Sequence, residues 1–260
     1  MAPTAGFGDR LIARTRALGH PLCVGLDPYL DRIPKLFRRG GMQPQHADTA
    51  QAVEEFCCRV IDLIAADVAI VKPQVSLFEC LGWRGWRALE RVVRYARTAG
   101  LLVLLDAKRG DIADTAAAYA QAYLSQDSEC SVDAITVNPY LGPESLEPFI
   151  VEWQDRLAGQ TTGWSSLGVT VAATHSGDTE RIRTALPHAL FLVLGYGAQG
   201  ASASEAVRGF RRGPAGLEGG VVSSSRAILF PAFETAADAW EKAVRSALAR
   251  ATGELGEAVA

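Results

Sequence analysis

The chain has 260 residues, 48% of them hydrophobic and 21% charged, which suits one large domain, residues 1–260, with a substantial core. A net charge of -3 and a pI near 5.9 leave no footprint for nucleic acid. No apolar run approaches the roughly 18 residues of a membrane span, and MAPTAGFGDR at the start lacks the apolar segment of a secretory signal; a cytoplasmic protein is expected. The five cysteines, Cys23, Cys57, Cys58, Cys80 and Cys130, show no C-x-x-C spacing, and His20, His46, His175 and His188 do not cluster with them. Reduced, mostly buried thiols and no zinc are expected.

In chain order, a short helix over 9–19 is ended by Gly19. PLCVGLDP is a short strand closing on Asp27. A polar loop with Pro34, Gly40, Gly41 and Pro44 follows. Apolar residues at helical spacing from Ala52 to Ile64 predict a helix over 48–66, with Asp48 as N-cap. VAIVKPQV is the second strand, and a helix over 84–99 ends at Gly100. LLVLLDAKRGD, from Leu101, is a buried strand stopped by charge, and Asp114 and Thr115 are suitable caps for the Ala-rich helix that runs to about Ser125. AITVNPYLG is the fourth strand, followed by a short helix over 144–158 and the loop QTTGWSS. LGVTVAAT, a helix over 178–185, FLVLGYGAQG, GGVVSSSRA and a helix over 233–251 complete the chain.

Alternating strands and helices imply a parallel sheet. Polar residues recur at the strand ends: Asp27, Lys72, Asp106 with Lys108, Asn138, Thr174, Gln199 and Arg226. A single mouth that gathers them is what an α/β TIM-type (β/α)8 barrel provides. The alternative, a doubly wound open sheet, would be favoured by G-x-G-x-x-G after the first strand, and GLDPYL is not that. Only seven strands are clear, because the segment between Pro139 and Leu167 holds no apolar strand; the fifth is expected to be deleted.

Asp106 and Lys108 are two apart, so on a strand they share a side. Buried without a reason, such a pair is costly; a structural ion pair at the barrel mouth is the plain alternative to a catalytic one. Lys72 adds a second ammonium, or is a lysine that snorkels from a strand end. The glycines of Gly195–Gly200 let backbone N–H groups approach an anion, and Arg226 can hold a phosphate bidentately. Together these favour a phosphorylated ligand over a surface arginine beside a tight turn.

DAKRGDIADT, VKPQV, GLDP, NPYLG, GAQG and SSSRAI resemble the orotidine 5′-phosphate decarboxylase family, in its longer bacterial subgroup, from about Phe7 to Phe230. A sister group acting on sugar-acid phosphates shares D-x-K-x-x-D-I but carries a glutamate and magnesium at the second strand, where this chain has Lys72. The resemblance implies cofactor-free conversion of orotidine 5′-phosphate to uridine 5′-phosphate in pyrimidine synthesis. It implies a network of Lys72, Asp106, Lys108 and Asp111, with Lys108 giving the proton to C6 and Asp106 beside the substrate carboxylate. It further implies a homodimer with shared sites, in which Asp111, Ile112 and Thr115 reach into the partner. Asp27 would bind a ribose hydroxyl, Ser145 the pyrimidine edge, and Gln199, Gly200 and Arg226 the 5′-phosphate.

The chain departs from the family after NPYLG, where a strand with a T-S-N-P-like end is expected. SLEPFI passes almost at once to LGVTVAATHSGDTERIRTALP. By its distance from FLVLGYGAQG, that stretch aligns with the sixth family strand; the rival alignment makes it the fifth and deletes the sixth. His175 and Ser176 replace the usual residues, and Leu194 replaces a proline. A barrel short of one strand exposes backbone edges, unless it closes with seven strands or is covered by QTTGWSS or a partner. Altered base specificity, a paralogue acting on a related nucleotide, and a catalytically silent nucleotide-binding protein are the alternatives to the ordinary decarboxylase.

Overall fold

The structure is a computed structural model that describes residues 5–151, 157, 159–233 and 239–260. α1 (Phe7–Leu18) leads into β1 (Leu22–Leu26), two 3-10 turns and α2 (Ala47–Ile64). β2 (Ile70–Pro73), α3 (Val75–Glu79), α4 (Trp83–Thr98), β3 (Leu102–Arg109), α5 (Ala113–Leu124) and β4 (Ala134–Val137) follow. Two further 3-10 turns and α6 (Glu147–Val151) precede β5 (Gly168–Ala172), α7 (Ser176–Ala185), β6 (Leu190–Leu194) and α8 (Ala203–Ala206). A small hairpin, β7 (Arg211–Gly213) and β8 (Gly216–Glu218), leads to β9 (Gly220–Ser224), α9 (Arg226–Leu229) and α10 (Ala239–Val259).

Seven parallel strands form one curled sheet in the order β4-β3-β2-β1-β9-β6-β5. They are the seven strands expected from the sequence, in a TIM-type arrangement. All residues of β1 and β9 are buried, because one face packs on the barrel interior and the other on helices. α2 turns Val53, Phe56, Val60, Ile61 and Ile64 inward and packs against α4. Phe37, Phe56 and Trp240 meet with ring centroids 5.1 to 5.7 Å apart, which ties α10 to α2.

β4 and β5 are the two ends of the sheet, and no pairing joins them among the described residues. The vacant place is therefore next to β4, where the fifth strand of an eight-stranded barrel would lie. Among the described residues the sheet does not close with seven strands. An apolar cleft of about 90 Å³ occupies the seam, lined in part by Ile135, Val137, Phe149 and Leu167. The loop QTTGWSS does not extend the sheet. It binds the start of α1: the Thr161 and Thr162 amides and the Thr162 hydroxyl donate to Asp9, and Gly8 N donates to Ser166 Oγ.

α1 closes the N-terminal end of the barrel. Arg10 pairs with Asp133 just before β4, Arg14 donates to Gly100 O before β3, and Arg16 grips Glu218 before β9 at 2.6 and 2.7 Å. Glu218 also accepts from Trp164 Nε1 at 2.9 Å. With that end plugged, the strand C-termini form the free mouth.

Several sequence expectations are corrected. His46, not Asp48, caps α2, its Nδ1 accepting from Asp48 N. α5 starts after Ile112, and neither Asp114 nor Thr115 caps it, because both lie inside its first turn. α10 runs eight residues past the expected end at 251; residues 234–238 lie outside the described residues, as do 152–156 and 158 of the helix expected over 144–158. Cys80 is exposed, whereas Cys23, Cys57 and Cys130 are buried. Among the described residues no helix is long and apolar enough to cross a membrane.

Candidate active site

Asp106 lies one residue before the end of the buried part of β3 and stands at the centre of the mouth. Its carboxylate takes four side-chain donors: Lys72 Nζ at 2.9 Å and Gln74 Nε2 at 3.0 Å on Oδ2, Lys108 Nζ at 2.5 Å and Thr136 Oγ1 at 3.0 Å on Oδ1. Lys72 and Asp106 are each 4% exposed, and the Lys108 side chain is 63% exposed. Burial pushes the Asp106 carboxyl up, but the charge of Lys72 and the hydrogen bonds from Lys108 and Lys72 outweigh it and hold the group below the usual carboxylate range. Burial likewise opposes the Lys72 charge; Asp27 and Asp106 outweigh it and raise the ammonium above its ordinary value. Lys72 and Asp106 are therefore both charged at neutral pH. Burial pushes the Cys23 thiol up to about 12, so no thiolate forms beneath them.

The other expected residues fall into two groups. Asp27 follows β1 at the same mouth, and its Oδ1 is buried with no hydrogen-bond partner among the described residues. The loop from Gly195 to Gly200 follows β6 and takes positive φ at Gly195, Gly197 and Gly200. β6 and β9 are paired, so Gln199 and Gly200, both exposed, lie at the same sheet end as Arg226. A side chain at Gly197 would come within 4.0 Å of Ala227 Cβ, so the loop runs beside the start of α9. Arg226 is half-buried, and its guanidinium has no partner among the described residues. The second group makes no hydrogen bond or ion pair with the lysines among the described residues. Asp111 Oδ1 accepts from Ile112 N, with no bond to Lys72 or Lys108. Ile112 is 68% exposed and Thr115 is exposed. Ser145 is buried and donates to Gly142 O. Among the described residues no three His, Cys, Asp or Glu side chains converge as metal ligands.

A family model described as orotidine 5′-phosphate decarboxylase / HUMPS family matches residues 20–181. A Rhodopirellula baltica protein named orotidine 5′-phosphate decarboxylase is 36% identical across 93% of this chain and 96% of its own length. The chain belongs to the orotidine 5′-phosphate decarboxylase / HUMPS family. A Deinococcus radiodurans protein with the same name is 36% identical across 88% of this chain and 90% of its own. A crystal structure from Streptomyces avermitilis has a TM-score of 0.77 at 30% identity, over 98% of this chain and 96% of that one. The Leishmania donovani OMP decarboxylase structure has a TM-score of 0.71 at 30% identity, over 97% and 98%. The Rhodopirellula alignment runs over 292 positions, more than the 260 residues here, so that family member carries residues with no counterpart in this chain.

Three polar residues at the mouth of this family member were not singled out from the sequence. Gln74 follows Lys72 by two, the same spacing that flagged Asp106 with Lys108, and could have been found by it. Thr136 is a neutral residue inside an apolar strand and gives no such signal. Ser225 sits at the N-cap of α9 without capping it, and its buried Oγ has no partner among the described residues. A side chain at Gly25 would meet Ser225 Cβ at 2.8 Å and Asp27 Oδ2 at 3.4 Å, so Ser225 and Asp27 flank the same gap. Buried polar atoms left unpaired are rare in folded proteins, and these two lie together at the mouth.

Proposed function

We propose that this protein decarboxylates orotidine 5′-phosphate to uridine 5′-phosphate in de novo pyrimidine synthesis, as a cytoplasmic carboxy-lyase built as one barrel domain and working without a cofactor. The observation that carries this reading is the buried pairing of Lys72 with Asp106, with Lys108 on the other oxygen of the same carboxylate. An ammonium at Lys72 favours the pyrimidine chemistry over that of the sister group, which resembles this chain in D-x-K-x-x-D-I but carries a glutamate at the second strand.

A carbanion at C6 of the pyrimidine has no sink in the ring. A fixed ammonium beside it stabilises the developing charge and then protonates it. Lys108 takes that role, because its side chain is open to the mouth while Asp106 fixes its direction. Asp106 stands beside the substrate carboxylate, where its charge disfavours the bound carboxylate and not the departing carbon dioxide. Lys72 keeps Asp106 ionised. Asp27 holds a ribose hydroxyl, Ser145 meets the pyrimidine edge, and Gln199, Gly200 and Arg226 hold the 5′-phosphate; binding energy there supports the reaction at C6.

The working unit is a homodimer, in which Asp111, Ile112 and Thr115 act on the partner's site. Their positions support it: Asp111 is not bonded to its own lysines, and Ile112 and Tyr140 stand 68% and 90% exposed, an apolar surface that water does not favour.

The test is loss of orotidine 5′-phosphate absorbance with purified protein. Turnover to uridine 5′-phosphate is expected. Binding without turnover supports the silent protein instead, and turnover confined to ring-modified analogues supports the paralogue.

A further inference from the structure

Thr136 lies in β4, one residue before its end. Its hydroxyl donates to Asp106 Oδ1 at 3.0 Å and accepts from the backbone N–H groups of Ala107 at 3.0 Å and Lys108 at 2.9 Å. A hydroxyl has one proton to give and two lone pairs to offer, so every hydrogen-bonding position of this one is used. The three partners are the carboxylate at the centre of the site and the two peptide groups that follow it.

The backbone at that point is irregular. Lys108 has φ 47°, a left-handed conformation that is strained for a residue with a Cβ. The β3–β4 register shifts between Leu105 and Arg109, and the N–H groups of Ala107 and Lys108 go to a side chain. In a regular strand, residues two apart project in parallel about 6.6 Å from each other. Here the turn at Lys108 brings its ammonium back to 2.5 Å from Asp106. Something must hold the kink against its cost, and the Thr136 hydroxyl is the side-chain group that bonds both of its amides.

We propose that Thr136 is a positioning residue for the decarboxylation: by clamping Ala107, Lys108 and Asp106 together, its hydroxyl fixes where the Lys108 ammonium stands. The inference rests on the decarboxylase reading above and extends it to a residue that acts through Lys108 and Asp106. Without the hydroxyl, the backbone at Lys108 relaxes toward an ordinary strand and the ammonium swings off its line to C6. Substrate grip, built from Asp27, Gln199 and Arg226 beyond the ends of other strands, is left in place.

The experiment compares the wild type with Thr136→Val and Thr136→Ser in the same absorbance assay. Thr136→Val keeps the shape and removes the hydroxyl; kcat is expected to fall about 100-fold, the scale of a small misplacement of a reacting group, with KM little changed. Thr136→Ser keeps the hydroxyl and is expected to restore most of the lost turnover. A wild-type kcat in Thr136→Val, a loss carried by KM, or a serine variant as slow as the valine variant overturns the proposal while leaving the decarboxylase reading intact. An inactive wild type overturns that reading and this inference with it. If Thr136→Val does not fold, amide hydrogen exchange of the wild type decides: protected Ala107 and Lys108 amides are expected, and exchange as fast as in an open loop overturns the clamp.

Discussion

Lys72 Nζ and Asp106 Oδ2 stand 2.9 Å apart on neighbouring strands, both side chains almost fully buried. The bridge between Gln74 and Asp106 carries the β2–β3 pairing past the end of β2, and this sets the two groups side by side. Neither charge tolerates burial without the other.

Asp106→Asn keeps the volume and removes the charge. It leaves Lys72 without its nearest counter-charge, and breaking a buried pair in this way costs about 3–5 kcal/mol. Urea unfolding is expected to show a loss of that order together with lost turnover. Unchanged stability would mean that Asp27 alone satisfies Lys72.

The same pair sets a pH window for stability. The Asp106 carboxyl is lowered in the folded state, so its contribution is present above the unfolded value of about 3.9 and is lost as pH falls through the folded value. The Lys72 ammonium is raised, so its contribution is present below about 10.4 and is lost as pH rises through the folded value. Thermal melts are expected to show a plateau between these limits. Asp106→Asn should remove this carboxyl's share of the fall at the acid end; an acid limb identical to the wild type's contradicts the assignment.

The strands were legible because a parallel strand covered on both faces is a continuous apolar run, and Lys72 and Asp106 were legible because charge interrupts such runs. The hairpin over 211–218 was not, since RRGPAGLE is polar, short and rich in glycine. α3 was hidden because VSLFE makes little more than one turn directly after a strand. The kink at Lys108 and the clamp at Thr136 arise from contact between β3 and β4, residues 28 to 30 apart in the chain, which no local spacing reveals. The vacancy beside β4 was legible as a missing run; the way α1 and the Thr161–Ser166 loop close the opposite end was not.

Arg226 has no partner among the described residues, and the proposed function gives it the 5′-phosphate. Arg226→Ala is expected to lower kcat/KM for orotidine 5′-phosphate by about 10- to 100-fold, the worth of one hydrogen bond to a charged group. Orotidine, which lacks the phosphate, serves as the control and should be affected little. Equal losses on both compounds would show that the arginine shapes the barrel and does not bind phosphate.

If Asp111 serves the partner's site, two inactive variants can complement each other. Lys72→Ala and Asp111→Ala are each expected to be inactive. Subunits exchanged at random between them should regain about a quarter of wild-type activity, because half of the dimers carry one intact site of two in a two-fold assembly. No recovery, with mixed dimers confirmed by mass, would place Asp111 in its own subunit's site.

Trp164 anchors the plugged end through Glu218 and packs against Gly219, where a side chain would come within 2.3 Å of the indole ring. Trp164→Ala is expected to cost about 3–5 kcal/mol, read by chemical unfolding, and to leave KM unchanged, since the mouth lies at the other end of the strands.

The assignment of Lys108 as proton donor is tested most directly by single-turnover decarboxylation of orotidine 5′-phosphate with Lys108→Ala in deuterium oxide, followed by inspection of C6 in the product. The wild type should give uridine 5′-phosphate deuterated at C6, and the variant should bind the nucleotide but release almost no carbon dioxide. A variant that decarboxylates at the wild-type rate, with deuterium delivered to C6 as before, would contradict it.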